Sequence, residues 1–296
     1  MYGSNVVCIW QGLGNQMFQY AFAKSLEIHT KRKVYIDPEF GNKKIIGQEM
    51  GSKTFREYGL CNFNISLSEV NELKRHAWDY TREDKWYYEI IKELLEKGKY
   101  PYKYYSQKGF SDISVVNPSF EEVENNTYLK GWFQTEDFFS DIRDVLLKEF
   151  ELKEEISIPD YLIKLIEGPN SVSIHIRRGD YKRGNMVLEK DYYERAKYIM
   201  KDIVEDPVWI IFSDDISYVK ENFPILKDAY FIDESCKLRD YEQLIMMSRC
   251  KNNIIANSTF SWWGAWLNQN RDKCVVAPIK WFSSQKNIVP KDWIRV

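Results

Sequence analysis

The segment best equipped for chemistry is His175-Ile176-Arg177-Arg178-Gly179-Asp180, two arginines and a carboxylate at the end of an apolar run. A guanidinium is a permanent cation whose planar fork matches phosphate oxygens. One such charge-assisted bond contributes about 1.5–3 kcal/mol. The competing reading is a structural ion pair with Asp180. A second segment, Phe212-Ser213-Asp214-Asp215, ends another apolar run. Its paired carboxylates could hold a metal or accept from the N1–H and amino group of a purine. Asp215 could equally cap a helix. In Asn257-Ser258-Thr259-Phe260-Ser261-Trp262-Trp263, Ser258 and Thr259 could cap the helix they open. The hydroxyls and N–H groups there could also hold phosphate. Trp262, Trp263 and Trp266 cannot all face one way on a helix, so packing is expected of most of them. Near the start, Gly12-Leu13-Gly14-Asn15-Gln16 permits a tight turn before a helix N-terminus, which favours an anion. With Asp37 as a ribose acid this reads as a dinucleotide fingerprint. Met17, however, stands in place of the third glycine, and no Gly-Lys-Ser/Thr follows to make a P-loop. A ligand-free turn is the alternative.

These segments need strands to carry them and helices to follow. Residues 6–10 read as a strand, the next stretch as a helix with Met17, Phe18, Ala21, Phe22 and Ser25 on one face, and 33–37 as a second strand. Such a β-α-β unit implies a parallel pair. Residues 40–125 mix charges and aromatics irregularly, with one helix expected over 83–97. A strand is expected over 128–133, then a helix over 138–150, with Ile142, Val145, Leu146 and Phe150 at helical spacing. The charged stretch 151–159 reads as a linker. Strands follow at 172–177, 208–213, 229–233, 252–256 and 274–277, with helices at about 190–205, 215–222, 238–250 and 260–270. Alternation of this kind gives an open parallel sheet. The chain therefore divides into an α/β domain over 1–155, with an aromatic-rich insertion at about 40–125, and a Rossmann-like domain over 156–296. Strand alternation puts His175 and Arg177 on one face and Arg178 on the other. Ligands of open α/β sheets bind beyond the carboxyl ends of strands.

Composition narrows the function. The 296 residues carry a formal net charge of −2, so no global field holds nucleic acid. Aromatics reach 16%, which serves a large core first and sugar faces second. The five cysteines (Cys8, Cys61, Cys236, Cys250, Cys274) include no Cys-x-x-Cys, which points to a reducing compartment without a disulfide framework. Residues 1–10 lack the pattern of a signal peptide, and no apolar run approaches the 18 residues of a membrane span. A cytoplasmic protein is expected, peripheral contact with the inner membrane face being left open. No Asp-x-Asp occurs, and His29, His76 and His175 lack metal-ligand spacing. No Gly-x-Ser-x-Gly elbow or nucleophile triad appears.

Together the segments resemble glycosyltransferase family 11, the α-1,2-fucosyltransferases. The matching pieces run from Gly12 to Tyr20, then Tyr128-Leu129-Lys130-Gly131-Trp132-Phe133-Gln134, His175 to Tyr181, Phe212 to Asp215, and Asn257 to Leu267. They follow the family's order over nearly the whole chain. Two departures are Gln11, where a second glycine is usual, and Trp132, where tyrosine is common. The resemblance implies an α/β fold of GT-B type with two facing Rossmann-like domains. It implies inverting, metal-independent transfer of L-fucose from GDP-fucose to a terminal galactose, with no resident cofactor. The C-terminal half should bind the donor and the N-terminal half the acceptor glycan, as in O-antigen or oligosaccharide biosynthesis. By the same resemblance Arg177 binds the diphosphate with Ser258, Thr259 and Ser261, and Asn15 reaches that site beside the Gly14 turn. His175 and one of Asp214 or Asp215 contact the guanosine, with Asn257 at the start of the same phosphate-binding segment. Asp180 is the first candidate for a general base and Glu189 the second. An alternative role for Asp180 is to orient an arginine, and the departing phosphate could take the proton. Two other classes are a nicotinamide-dependent dehydrogenase using Gly12, Gly14 and Asp37, and a non-catalytic glycan-binding protein.

Overall fold

The computed structural model describes residues 4–38, 57–70, 103–106, 120, 123–281 and 288–296. The chain divides after Glu151 into two compact units, with residues 12–14 grouping with the second. The helix expected over 83–97 lies outside the described residues.

The first unit holds β1 (Asn5–Cys8), α1 (Leu13–Thr30), β2 (Val34–Asp37), β3 (Lys103–Ser106), β4 (Thr127–Lys130) and α2 (Arg143–Glu149). Its four described strands are parallel in the order β2-β1-β4-β3. The opening β-α-β unit is therefore present. The strand expected over 6–10 ends at Cys8, which leaves Trp10 beyond the sheet edge. Gln11, in the glycine position noted above, adopts φ 71°, the left-handed region that glycine enters without a Cβ clash. α1 is buried most of the way round, so even its polar Gln16, Gln19 and Ser25 are enclosed. Each glutamine works on backbone. Gln19 accepts from the N–H of Trp10 at 2.9 Å and donates to the Gly131 carbonyl at 3.2 Å, joining the ends of β1 and β4. Phe22 stacks on Phe133 at 3.9 Å. The helix expected over 138–150 is broken. Short 3-10 turns at Glu136–Phe138 and Ser140–Ile142 precede α2, because Phe139 sits at φ −149° between them. The strand expected over 128–133 ends at Lys130, and Phe133 turns left-handed at φ 49°.

The second unit holds α3 (Asp160–Ile166), β5 (Ser171–Ile176), α4 (Lys190–Ile203), β6 (Val208–Ser213), α5 (Ile216–Asn222), β7 (Tyr230–Ile232), α6 (Asp240–Arg249), β8 (Asn252–Ile254), α7 (Thr259–Trp266), β9 (Val275–Ala277) and β10 (Ile294–Arg295). The six strands pair in parallel in the order β10-β9-β8-β5-β6-β7. Counted from β5, this is the doubly wound order whose direction reverses between β5 and β8. α3 and β10 were not anticipated from the sequence. α7 ends at Trp266, several residues before the expected 270, and β8 covers only 252–254 of the expected 252–256. The tryptophans of α7 are packing residues: Trp262, Trp263 and Trp266 are all buried. Trp262 donates to the Ile288 carbonyl at 3.1 Å. Burying an indole removes on the order of 150–250 Å² from water, about 4–6 kcal/mol each at ~25 cal/mol per Å². Gly264 lets α7 lie directly on α6, since a Cβ there would fall 3.0 Å from Met247 Cβ.

Candidate active site

The loops that follow β5, β6 and β8 carry the chemistry-bearing residues of the second unit, at the strands' carboxyl ends. β5 ends at Ile176, and the chain turns through Gly179 into a 3-10 turn at Asp180–Lys182. Arg177, the first residue past the strand, is gripped by two carboxylates. One guanidinium nitrogen donates to Asp180 Oδ1 at 2.6 Å, and the other lies 2.9 Å from Asp214 Oδ2. The structural ion pair weighed from the sequence is thus present, with Asp214 added to it. Its cation also sits 5.4 Å from the Tyr181 ring centroid. The Tyr181 hydroxyl donates to the Asn257 carbonyl at 3.1 Å, joining the loop after β5 to the loop after β8 across the point where strand order reverses.

Asp214 works with both oxygens. Besides pairing with Arg177, it accepts from the Arg178 backbone N–H at 2.9 Å. A Cβ on Gly179 would fall 2.5 Å from Asp214 Oδ2, so glycine allows this close approach. Asp215 pairs with Lys182 at 2.5 Å and Arg178 at 3.3 Å. Its hydrogen bond from Lys182, foremost, and that from Arg178 hold its carboxyl below the usual range. The Arg178 guanidinium lies 3.2 Å from the Tyr218 ring centroid. Sequence reading missed Tyr218 and Lys182; the Asp215–Tyr218 spacing of three residues on α5 was the available signal.

Burial alone would weaken the charge on Arg177, but Asp214 and Asp180 outweigh it, so the pKa rises and the cation is retained. His175 is 4% exposed. Burial first, then the adjacent Arg177, push its pKa down and hold the ring neutral, against a smaller opposing pull from Asp214. Below its ordinary pKa of 6.5 the unfolded chain takes up a proton that the folded ring refuses. The contribution of neutral His175 to stability is therefore present above that pH and lost as pH falls below it. Burial pushes the Tyr181 hydroxyl up to about 12.

Three buried polar atoms at the carboxyl ends of these strands have no protein partner: Arg177 Nε, His175 Nδ1 and Asn257 Oδ1. Buried polar atoms are nearly always paired, so such a group marks a place where a ligand or water belongs. Asn257 spends its amide N–H groups on the carbonyls of Met186 at 2.9 Å and Trp281 at 3.2 Å.

The capping roles expected from the sequence are not found. Asp215 and Ser258 stand at the N-cap positions of α5 and α7, yet neither side chain makes a cap bond. Asp215 is drawn away by its two cations. Thr259 is the first residue of α7. The buried Ser261 hydroxyl turns onto its own helix, donating to the Ser258 carbonyl at 3.3 Å and the Ala256 carbonyl at 3.5 Å. Gly14 packs within the second unit against the start of α7. A Cβ there would fall 2.5 Å from Phe260 N and Thr259 C, and its carbonyl accepts from the Trp263 indole at 3.0 Å. Glu189 is exposed at the N-cap position of α4, and the ion pairs around Arg177 do not include it. In the first unit, Asn15 Oδ1 accepts from the Gln134 amide at 2.7 Å. Asp37 is 4% exposed and accepts from the Tyr128 hydroxyl at 3.0 Å, so it is engaged inside the unit rather than presented to a ribose. Among the described residues no three of His, Cys, Asp and Glu group as a metal set. None of the described helices is long and apolar enough to cross a membrane.

Known proteins resemble this chain along its length. The O-antigen biosynthesis glycosyltransferase WbnK of Escherichia coli is 33% identical over 98% of this chain and 99% of its own. The alpha-1,2-colitosyltransferase of Escherichia coli is 29% identical over 96% of each. Among solved structures, the alpha-1,6-fucosyltransferase NodZ co-crystallised with GDP is 14% identical, covers 90% of this chain and 92% of its own, and has a TM-score of 0.50. That likeness is one of fold and matches the GT-B-type α/β architecture with parallel sheets. The model of glycosyl transferase family 11 matches residues 76–296, which include the arginine loop, the paired aspartates and the tryptophan helix. With that match and the full-length similarity to WbnK, the chain belongs to glycosyl transferase family 11, the family of α-1,2-fucosyltransferase-type enzymes.

Proposed function

We propose that this glycosyltransferase moves L-fucose from GDP-β-L-fucose to the 2-OH of a terminal galactose, with inversion and without a divalent metal. One observation carries the reading: Arg177 is a half-buried, retained cation at the carboxyl end of β5, beside the point where strand order reverses. Ligands of open α/β sheets bind at that place. Support for the donor also comes from NodZ, whose structure contains GDP.

In the reaction the acceptor oxygen forms a bond to the fucose anomeric carbon while the bond from that carbon to phosphate oxygen breaks. The electron pair leaves with GDP, and negative charge grows on its diphosphate. Stabilising that charge is the largest contribution expected of the protein. Arg177 supplies it, with the N–H groups at the start of α7 and the hydroxyls of Ser258 and Thr259, the Ser261 hydroxyl being engaged with backbone carbonyls. Neutral His175 and one of Asp214 or Asp215 contact the guanosine. Gly14, which lies against the start of α7, belongs to the same donor site. Inversion places the acceptor on the face opposite GDP. Its proton goes to a carboxylate or to the departing phosphate.

Asp180 is already committed to Arg177 at 2.6 Å, which favours an orienting role over that of a base. Asp180→Asn separates the two. An orienting carboxylate predicts that GDP affinity, read by calorimetry, falls by about tenfold together with turnover. Lost turnover with GDP affinity intact would instead identify the base. Glu189 enters only in that second case.

Metal independence has its own check. Incubation with excess EDTA should leave the transfer rate unchanged. Activity lost to EDTA and restored by Mn²⁺ would contradict it. The colitosyltransferase relative makes the donor sugar a further point to measure. A donor panel should show transfer from GDP-fucose, and transfer only from nucleotide-linked colitose is the contrary result.

A further inference from the structure

The first unit has a switch point of its own. Its strand order β2-β1-β4-β3 reverses between β1 and β4, and the crevice beyond the carboxyl ends of those two strands is the ligand position of such a sheet. Two tryptophans stand there. Trp10 lies two residues past β1 and Trp132 two residues past β4. Their ring centroids are 4.5 Å apart at an interplanar angle of 47°. Trp132 is 6% exposed and forms the base, whereas Trp10 stays half-buried.

The Trp10 indole is held in place. Its Nε1–H donates to the Gly131 carbonyl at 3.3 Å, and its backbone N–H donates to Gln19 at 2.9 Å. The Lys130 ammonium lies 5.1 Å from the Trp10 ring centroid, a cation against the aromatic surface. Nearby in sequence, Asn15 and Gln134 join their amides at 2.7 Å, and the buried Gln134 Oε1 has no partner. No arginine occurs among residues 9–15 or 130–134, in contrast to the switch point of the second unit. An aromatic face with amides and one ammonium suits an uncharged polyhydroxylated ring better than a diphosphate. The C–H face of a galactose packs on an indole, and its hydroxyls hydrogen-bond to amides and ammonium.

We infer that Trp10, seated on Trp132 at the carboxyl ends of β1 and β4, is the platform for the pyranose ring of the acceptor glycan and sets acceptor affinity. The inference rests on the glycosyl-transfer reading above and names the residue that holds its acceptor.

The probe is lactose, titrated into the full chain without donor and followed by saturation-transfer NMR and tryptophan fluorescence. The wild type should bind lactose, Trp10→Ala should weaken binding by about tenfold or more, and Trp10→Phe should restore most of it. With GDP-fucose present, Trp10→Ala should raise the acceptor KM while the donor KM and the slow hydrolysis of donor by water stay as in the wild type. A merely structural tryptophan would move those two quantities and the Tm instead. Should Trp10→Ala not fold, Trp10→Phe and the wild-type fluorescence response decide. Lactose binding with the same emission change in wild type and Trp10→Phe, or equal affinity in a folded Trp10→Ala variant, overturns the inference, as does a wild type that ignores lactose while transferring fucose to another galactoside with Trp10-independent KM. Lactose binding that needs Trp10 in a protein unable to use GDP-fucose would overturn the donor reading alone.

Discussion

Arg177→Ala should reduce kcat/KM for transfer by about 10²–10⁴-fold, with the protein still folded. The magnitude follows from losing one or more charge-assisted bonds to a group that becomes more negative in the transition state. The fold should survive because the two carboxylates left behind, Asp180 and Asp214, are each about a quarter exposed and can be solvated. The Tm should therefore shift by only a few degrees. Arg177→Lys keeps the charge and loses the fork, so it should recover part of the rate and not all of it. Steady-state kinetics with a labelled donor, paired with a thermal melt, reads both quantities. Wild-type turnover in a folded Arg177→Ala protein would remove the assignment.

The second large effect is expected at Asp214, whose carboxylate holds the arginine loop from two sides. Asp214→Ala removes the ion pair to Arg177 and the acceptor for the Arg178 N–H together. The side chain is 26% exposed, so solvent screens part of the loss. A cost of about 1–2 kcal/mol remains, which lowers the Tm by roughly 2–6 °C. The loop that aims Arg177 then loses its anchor, and the donor KM should rise by about tenfold or more. Asp214→Asn keeps an acceptor for the N–H and loses the charge, so its Tm should lie between those of wild type and alanine. A donor KM and Tm both unchanged in Asp214→Ala would show that the carboxylate does not position Arg177.

The parts of this arrangement that follow from local pattern were legible in the sequence. Alternating strands and helices after residue 170 gave a parallel sheet, and β6 matches the expected 208–213 because its apolar run is bounded by the turn residues on either side. Arg177 was singled out by residue type and by its place after a strand. What depends on distant partners was not legible. Asp214 offered a metal or a purine edge as readings, and nothing local shows that it reaches an arginine 37 residues earlier. The cap expected of Asp215 failed for the same reason, since Lys182 and Arg178 compete for its carboxylate. The helix expected over 138–150 had correct apolar spacing, but Phe139 leaves helical geometry. Strand ends behaved likewise: β8 pairs with β9 over only two residues, so it stops before its apolar run does. Trp10 read as the end of a strand, and only the sheet order puts it at a crevice beside Trp132. Its role as a sugar platform could not come from spacing, because the two residues lie 122 positions apart.

The central claim is that a cation just past β5 neutralises a departing nucleoside diphosphate. A crystal of the protein grown with GDP tests it most directly. Diphosphate oxygens at about 2.7–3.2 Å from the Arg177 guanidinium, with the nucleotide over the carboxyl ends of β5 and β8, is the result expected here. GDP bound with its phosphates away from Arg177 would contradict the account.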